Sequence, residues 1–111
     1  MVGEIDVRRP RGVPSGVYEL GIALFDGADR GRGYGREAIA LLAQYAFTDL
    51  DAGRVQGSTA VDNAAMRHVF EACGFRFEGV MRAFMERPDG SGRDDYALYA
   101  LSRRDRQLQE S

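Results

Sequence analysis

Residues 17–50, VYELGIALFDGADRGRGYGREAIALLAQYAFTDL, pass from an apolar strand-like run through a glycine- and arginine-rich loop into an amphipathic stretch, and that succession decides the fold. Val17 to Phe25 is nearly continuous in strand formers, broken only by Glu19 and Gly21, as in a central strand covered on both faces. A lone carboxylate in such a run needs a reason. From Gly35 the spacing becomes helical, because Ala38, Leu41, Leu42, Tyr45 and Ala46 fall on one stripe. This predicts a helix from about Gly33 to Leu50, stopped by Gly53.

Working outward, Val2 to Val7 alternates with period two until Pro10, Pro14, Ser15 and Gly16 break it, which reads as a strand and a turn. Arg54 to Val61 reads as a second internal strand. Asp62 and Asn63 are N-cap types, and Ala65, Val69 and Cys73 beside Met66 and Phe70 give a short helix closed by Gly74. Alternation returns in Phe75, Phe77, Gly79, Met81, Ala83 and Met85, and again from Asp94 to Leu101, with Pro88-Asp89-Gly90-Ser91-Gly92 between them as the turn of a hairpin. The expected order is ββαβαββ, with two helices and a mixed, mostly antiparallel sheet. That is an α+β (α/β-like) single domain over residues 1–111, with its core in 17–103 and a polar tail over 104–111.

A length of 111 residues with 44% hydrophobic content suits one compact domain with one core. Charged residues make up 29%, and no apolar stretch approaches the roughly 20 residues of a bilayer span, so a membrane protein is not expected. The first residues, Met1 to Val7, lack export or transit features, which makes the cytoplasm the expected location. Fifteen basic residues against seventeen acidic ones give a net charge of −2, which argues against nucleic acid as a partner. Every basic residue is arginine, a pattern of GC-rich coding rather than of chemistry. A single cysteine, Cys73, forms no internal disulfide, and a single histidine, His68, supplies no metal site. Cys73 lies on the apolar stripe of its helix as a small hydrophobe, not as a nucleophile. Ser58 lacks the surrounding glycines of a hydrolase elbow.

The chemistry gathers in Arg30-Gly31-Arg32-Gly33-Tyr34-Gly35, between the apolar strand and the helix start. Glycines let backbone N–H groups approach a ligand, the helix N-terminus adds unpaired donors and partial positive charge, and arginines add charge-assisted contacts. Such a loop suits a phosphate or pyrophosphate; the bland alternative is a flexible basic turn. No Lys-Ser/Thr pair follows the glycines, so a P-loop is excluded. A dinucleotide fingerprint would need glycine at Arg36 and an acid closing a strand about 20 residues on, where helix is expected.

Arg30, Gly33 and Gly35 fit the pattern Q/R-x-x-G-x-G/A of the acetyl-CoA loop in the GNAT superfamily of N-acetyltransferases, which the chain resembles. So does the stretch from Asn63 to Gly74-Phe75 (NAAMRHVFEACGF), which is similar to the family's asparagine followed by a short helix ending in Gly-Phe. The segment Tyr18 to Leu24 and the closing hairpin are similar to the branch that contains the ribosomal-protein N-terminal acetyltransferases. Family members begin with a further strand and two helices walling the acceptor side, which this chain starts too late to contain. The loop Phe25-Asp26-Gly27-Ala28-Asp29 also looks one residue longer than usual before Arg30.

The resemblance implies an acetyl-CoA-dependent enzyme that acetylates a primary amine, either a protein N-terminus or a small molecule, by direct attack on the thioester. It places the cofactor on Ala23, Leu24 and Phe25 of the strand, on Arg30, Gly31, Arg32, Gly33, Tyr34, Gly35 and Arg36 of the loop, and on Asn63 and Phe70. Asn63 serves equally well as an N-cap. An alkylammonium with a pKa near 10 must lose its proton before it attacks, and Glu19 is the candidate base; a half-exposed strand glutamate or an ion pair with an arginine is the alternative. Many relatives carry a tyrosine, or in this branch a serine, as proton donor to the leaving sulfur, where this chain has Met66 and Phe70. The missing donor and wall also allow a catalytically silent CoA-binding or dimerisation module. The uncovered strand at Val2 to Val7 implies self-association as a homo-oligomer, a dimer in its simplest form.

Overall fold

The computed structural model describes residues 3–24 and 34–110. Along the chain these form β1 (Gly3–Arg8), β2 (Val17–Leu24), α1 (Tyr34–Thr48), β3 (Arg54–Ala60), α2 (Ala64–Ala72), β4 (Arg76–Glu86), β5 (Arg93–Ser102) and α3 (Arg103–Glu110). The five-stranded sheet has the order β1-β2-β3-β5-β4. β2 and β3 run parallel, joined by the α1 crossover, while the β1–β2, β3–β5 and β4–β5 pairs are antiparallel. The order ββαβαββ and the mixed, mostly antiparallel sheet therefore stand as the sequence reads them.

Three expectations need correction. The buried stripe of α1 is Ile39, Ala43, Ala46 and Phe47, a three- and four-residue repeat, whereas Leu41 and Tyr45 are 64% and 46% exposed. Both stripes have helical spacing, and only the packing partner decides which one turns inward. The helix ends at Thr48, and the chain reverses at Asp51, at a φ of 54°, rather than at Gly53, whose N–H donates to Gly16 O.

The expected polar tail is a helix, so the described residues hold three helices rather than two. α3 has no apolar stripe to betray it, and its Leu108 is exposed. Polar contacts hold it instead. Ser102 Oγ accepts from Asp105 N at 3.0 Å, the geometry of an N-cap. Arg103 donates to Ala52 O and Phe47 O, each at 3.0 Å, and its guanidinium lies 5.8 Å from the Phe47 ring centroid. Gln109 Nε2 donates to Gly74 O at 3.0 Å.

α1 and α2 pack on the sheet face that presents Leu20, Val55, Gly57, Ala97, Tyr99 and Leu101. The centre of this core is Phe70, 1% exposed, stacked on Tyr99 at 5.3 Å and tilted against Phe75 at 5.4 Å. Its ring sits directly on Gly57, where an added Cβ would lie 2.7 Å from two ring carbons. No helix among the described residues is long and apolar enough to cross a membrane.

Loss of the Phe70 ring should cost about 3–5 kcal/mol through lost burial and a residual cavity. A methyl at Gly57 should cost about 1–3 kcal/mol by forcing the ring aside. Urea unfolding of Phe70→Ala and Gly57→Ala measures both; losses below about 0.5 kcal/mol in each would contradict the contact as the centre of the core.

Candidate functional site

The parallel pairing of β2 and β3 lasts only three rungs, Val17 with Arg54, Tyr18 with Val55 and Glu19 with Gln56. Beyond Glu19 and Gln56 the strands part. Leu20 to Leu24 continue paired to β1 alone, and Gly57 to Ala60 to β5 alone. The sheet thus forks at the carboxyl end of two parallel strands, and alternate main-chain N–H and C=O groups along its inner edges have no ladder partner among the described residues. On the helix side, Phe70 and Leu20 close in over Gly57.

The opposite face is polar. Arg8 and Glu19 are register partners, with Arg8 Nε 3.8 Å from Glu19 Oε2 and 3.9 Å from Asp6 Oδ1. The Arg8 guanidinium lies against Gly21, a position where a side chain would collide with it. On β3, Arg54 Nε donates to Gln56 Oε1 at 3.0 Å. Arg54 also grips Glu78 of β4 through two bonds, of 2.9 and 2.7 Å. Glu19, Gln56 and Ser58 are all half-buried.

The described residues expected to form a site lie on β2, at the start of α1, and in or just before α2. Glu19 stands at the last rung before the fork, 31% exposed, with Arg8 as its ion-pair partner. Ala23 and Leu24 form the end of the β2 arm, paired with Glu4 and Gly3. Asn63 follows the β3 arm by three residues and caps α2, its Oδ1 accepting from Met66 N at 3.1 Å. Its Nδ2 has no partner among the described residues. Tyr34 and Gly35 open α1, and Gly35 leans on Val69 of α2. Arg36 is exposed and its carbonyl accepts from Cys73 Sγ at 3.4 Å. Phe25, Arg30, Gly31, Arg32 and Gly33 lie outside the described residues.

Phe70 belongs to the core beneath the fork. His68 is exposed. Burial pushes the Cys73 thiol up, against a smaller opposing pull from Arg36, so it is no thiolate nucleophile at neutral pH. No group of residues capable of holding a metal ion occurs among the described residues.

Sequence reasoning missed two networks. In one, Tyr99 Oη donates to Glu71 Oε2 at 2.9 Å and accepts from Arg67 Nε at 3.1 Å, while Arg67 Nη1 donates to Val61 O at 3.0 Å. This fastens α2 to β5 and to the end of the β3 arm. The other is Gln56–Arg54–Glu78. The i, i+2 spacing of Arg54 and Gln56 on a strand could have suggested the first half of it, but Glu78 is brought in only by the intervening β5.

Residues 1–76 match the family model described as an acetyltransferase (GNAT) domain. Among solved structures, the chain is similar to a GNAT-family acetyltransferase from Bacillus anthracis, at 27% identity and a TM-score of 0.76, with 91% of this chain and 58% of that chain covered. It also superposes on ribosomal-protein-S5-alanine acetyltransferase from Vibrio fischeri, at 20% identity and a TM-score of 0.79, covering 91% of this chain and 54% of that one. A dodecameric spermidine N-acetyltransferase from Vibrio cholerae matches at 21% identity and a TM-score of 0.79, covering 100% of this chain and 63% of that one. The last two likenesses show the fold. The chain spans between 54% and 63% of the length of these three structures.

The Arg54–Glu78 clasp has a pH signature. Hydrogen bonding from Arg54 holds the Glu78 carboxyl below its ordinary value near 4.5, against an opposing desolvation and the repulsion of Asp105. A carboxyl lowered in the folded chain stabilises the fold above its unfolded value and loses that contribution as pH falls through the folded one. The melting temperature should therefore decline as pH drops below about 4.5, and more shallowly in Glu78→Gln. Coincident profiles for the two proteins would show that the clasp carries no pH-dependent stability.

Proposed function

The chain belongs to the GNAT acetyltransferase family, and on that premise we propose that it transfers an acetyl group from acetyl-CoA to a primary amine. The fork carries this reading. Its inner edges offer main-chain donors and acceptors without ladder partners among the described residues, which suits the amide-bearing arm of a CoA thioester in the manner of an added strand. Ala23, Leu24 and Phe25 would line the β2 side of that arm, and Asn63, with its spare amide donor, the β3 side. Arg30 to Arg36, with the N–H groups that open α1, would meet the pyrophosphate. Phe70 closes the helix side and leaves the acceptor to enter from the polar face.

On that face Glu19 would hold an incoming ammonium, its carboxylate shared with or released from Arg8, and accept the ammonium's proton directly or through a water. The freed nitrogen attacks the thioester carbonyl carbon and the C–S bond breaks; the proton that the nitrogen sheds as the amide forms passes to solvent, and the departing thiolate is reprotonated from it. A thiol with a pKa near 8.5 leaves without a dedicated acid. Met66 and Phe70, at the place where the resemblance puts such an acid, are buried and carry no proton to donate. The same observation favours a second reading, a CoA-binding module without turnover. We place either in the cytoplasm, with its diffusible thioester.

Acetyl-CoA at a hundredfold excess over its Kd should stabilise the chain by about 2.7 kcal/mol, seen as a raised melting temperature. A bulky residue at Gly33 or Gly35 should abolish the shift in a still folded protein. Glu19→Gln should keep the shift while thiol release on amines and peptide N-termini slows about 10²- to 10⁴-fold at pH 7, and less at pH 9, where more acceptor is already neutral. No shift at millimolar acetyl-CoA defeats the cofactor reading. A shift without turnover on any acceptor leaves the silent module, and wild-type rates in Glu19→Gln remove Glu19 as base.

We also propose self-association. Leu41 and Tyr45 on α1, and Phe77, Val80, Phe84 and Met85 on the edge strand β4, are large exposed apolar residues. Sedimentation at micromolar concentration should give a mass well above the 12.3 kDa of one chain. A strict monomer refutes it.

A further inference from the structure

We propose that Gln56 is the acceptor-selecting residue of the fork, and that it favours amines carrying a hydrogen-bond-accepting group, such as an amide carbonyl, beside the reactive nitrogen. The inference rests on the reading of the fork as a thioester site.

The argument begins with which end of the amide faces which way. Arginine has donors and no acceptor, so the Gln56 atom 3.0 Å from Arg54 Nε is its oxygen. The Nε2 group is thereby turned away from Arg54, and it has no partner among the described residues. Glu78 holds both guanidinium terminal nitrogens, at 2.9 and 2.7 Å, and so favours the Arg54 rotamer that keeps this contact. A glutamine side chain free to rotate would present donor or acceptor alike; this one is set to present a donor.

The position of that donor gives it a use. Gln56 is the register partner of Glu19 on the last rung before the strands part, and the two side chains share the polar face. An amine held by Glu19 therefore has the Gln56 amide beside it across one interstrand spacing, about 4.8 Å. A simple alkylamine offers that donor nothing and leaves it to water, whereas a bound carbonyl gives it a partner held in place. An α-amino amide places its carbonyl oxygen two bonds from the amine carbon and can satisfy the donor while Glu19 holds the nitrogen. Arg54 and Glu78 act as positioning residues through Gln56.

The experiment compares kcat/KM for alaninamide and for 1-butylamine, each with acetyl-CoA, in wild type, Gln56→Glu, Gln56→Met and Glu78→Gln. Gln56→Glu retains an oxygen for Arg54 but replaces the free donor with an acceptor; Gln56→Met keeps the length and removes both. The alaninamide-to-butylamine ratio should fall about tenfold in both Gln56 variants, the loss of one hydrogen bond, and part of the way in Glu78→Gln. A folding defect lowers both rates and leaves the ratio unmoved. The proposal is overturned by a ratio that stays constant across the variants. It is equally overturned by a wild type that turns over neither amine while acetyl-CoA still raises its melting temperature. The absence of that melting shift instead removes the fork reading beneath it.

Discussion

The Phe70 ring seated on Gly57 is the contact from which the rest of the molecule follows. It is stacked on Tyr99 and tilted on Phe75, so it ties α2 to β3, to β5 and to the residue that leads into β4. Any side chain at position 57 would lift the ring, which is why glycine stands in the middle of a strand whose other inward positions are Val55 and Thr59. The same ring closes the helix side of the fork just where β2 and β3 part. A single packing contact therefore both centres the core and closes one side of the fork.

Much of this architecture was legible because its elements differ in period. The strand runs, the helix that follows the glycine loop and the Pro88–Gly92 hairpin all declare themselves by periods of two or of three to four and by turn residues. What stayed hidden depended on partners. Ile39 and Leu41 are equally apolar, and only the sheet beneath α1 turns the first inward and leaves the second in solvent. α3 carries almost no apolar signal, since a serine cap, two arginines over Phe47 and a glutamine on Gly74 hold it. Contacts of that kind join residues far apart in sequence and leave no periodic trace.

The candidate site divides in the same way. The glycine loop and Asn63 could be singled out as motifs, and Asn63 proves to be the helix cap that its position allowed. Glu19 stood out as a charge in an apolar run. Its neighbour Arg8 becomes visible only once β1 is laid antiparallel on β2 with Arg8 opposite Glu19. Gln56 is ordinary in sequence; its meaning comes from two strand pairings, one with β2 that puts it beside Glu19 and one through β5 that brings Glu78 to Arg54.

Energy separates the roles of the two sheet faces. Burying Phe70 and its neighbours accounts for kilocalories of stability, whereas an ion pair whose side chains keep 31% and 39% of their exposure, as Arg54 and Glu78 do, is worth between nothing and about 1 kcal/mol. Such a pair contributes little to holding β4 against the sheet, which the β4–β5 ladder already secures. What two bonds to one carboxylate do provide is geometry. They fix a guanidinium plane, which fixes an amide, which leaves one donor aimed away from its anchor at the rung where the sheet opens. Stability is assigned to the apolar face and orientation to the polar one.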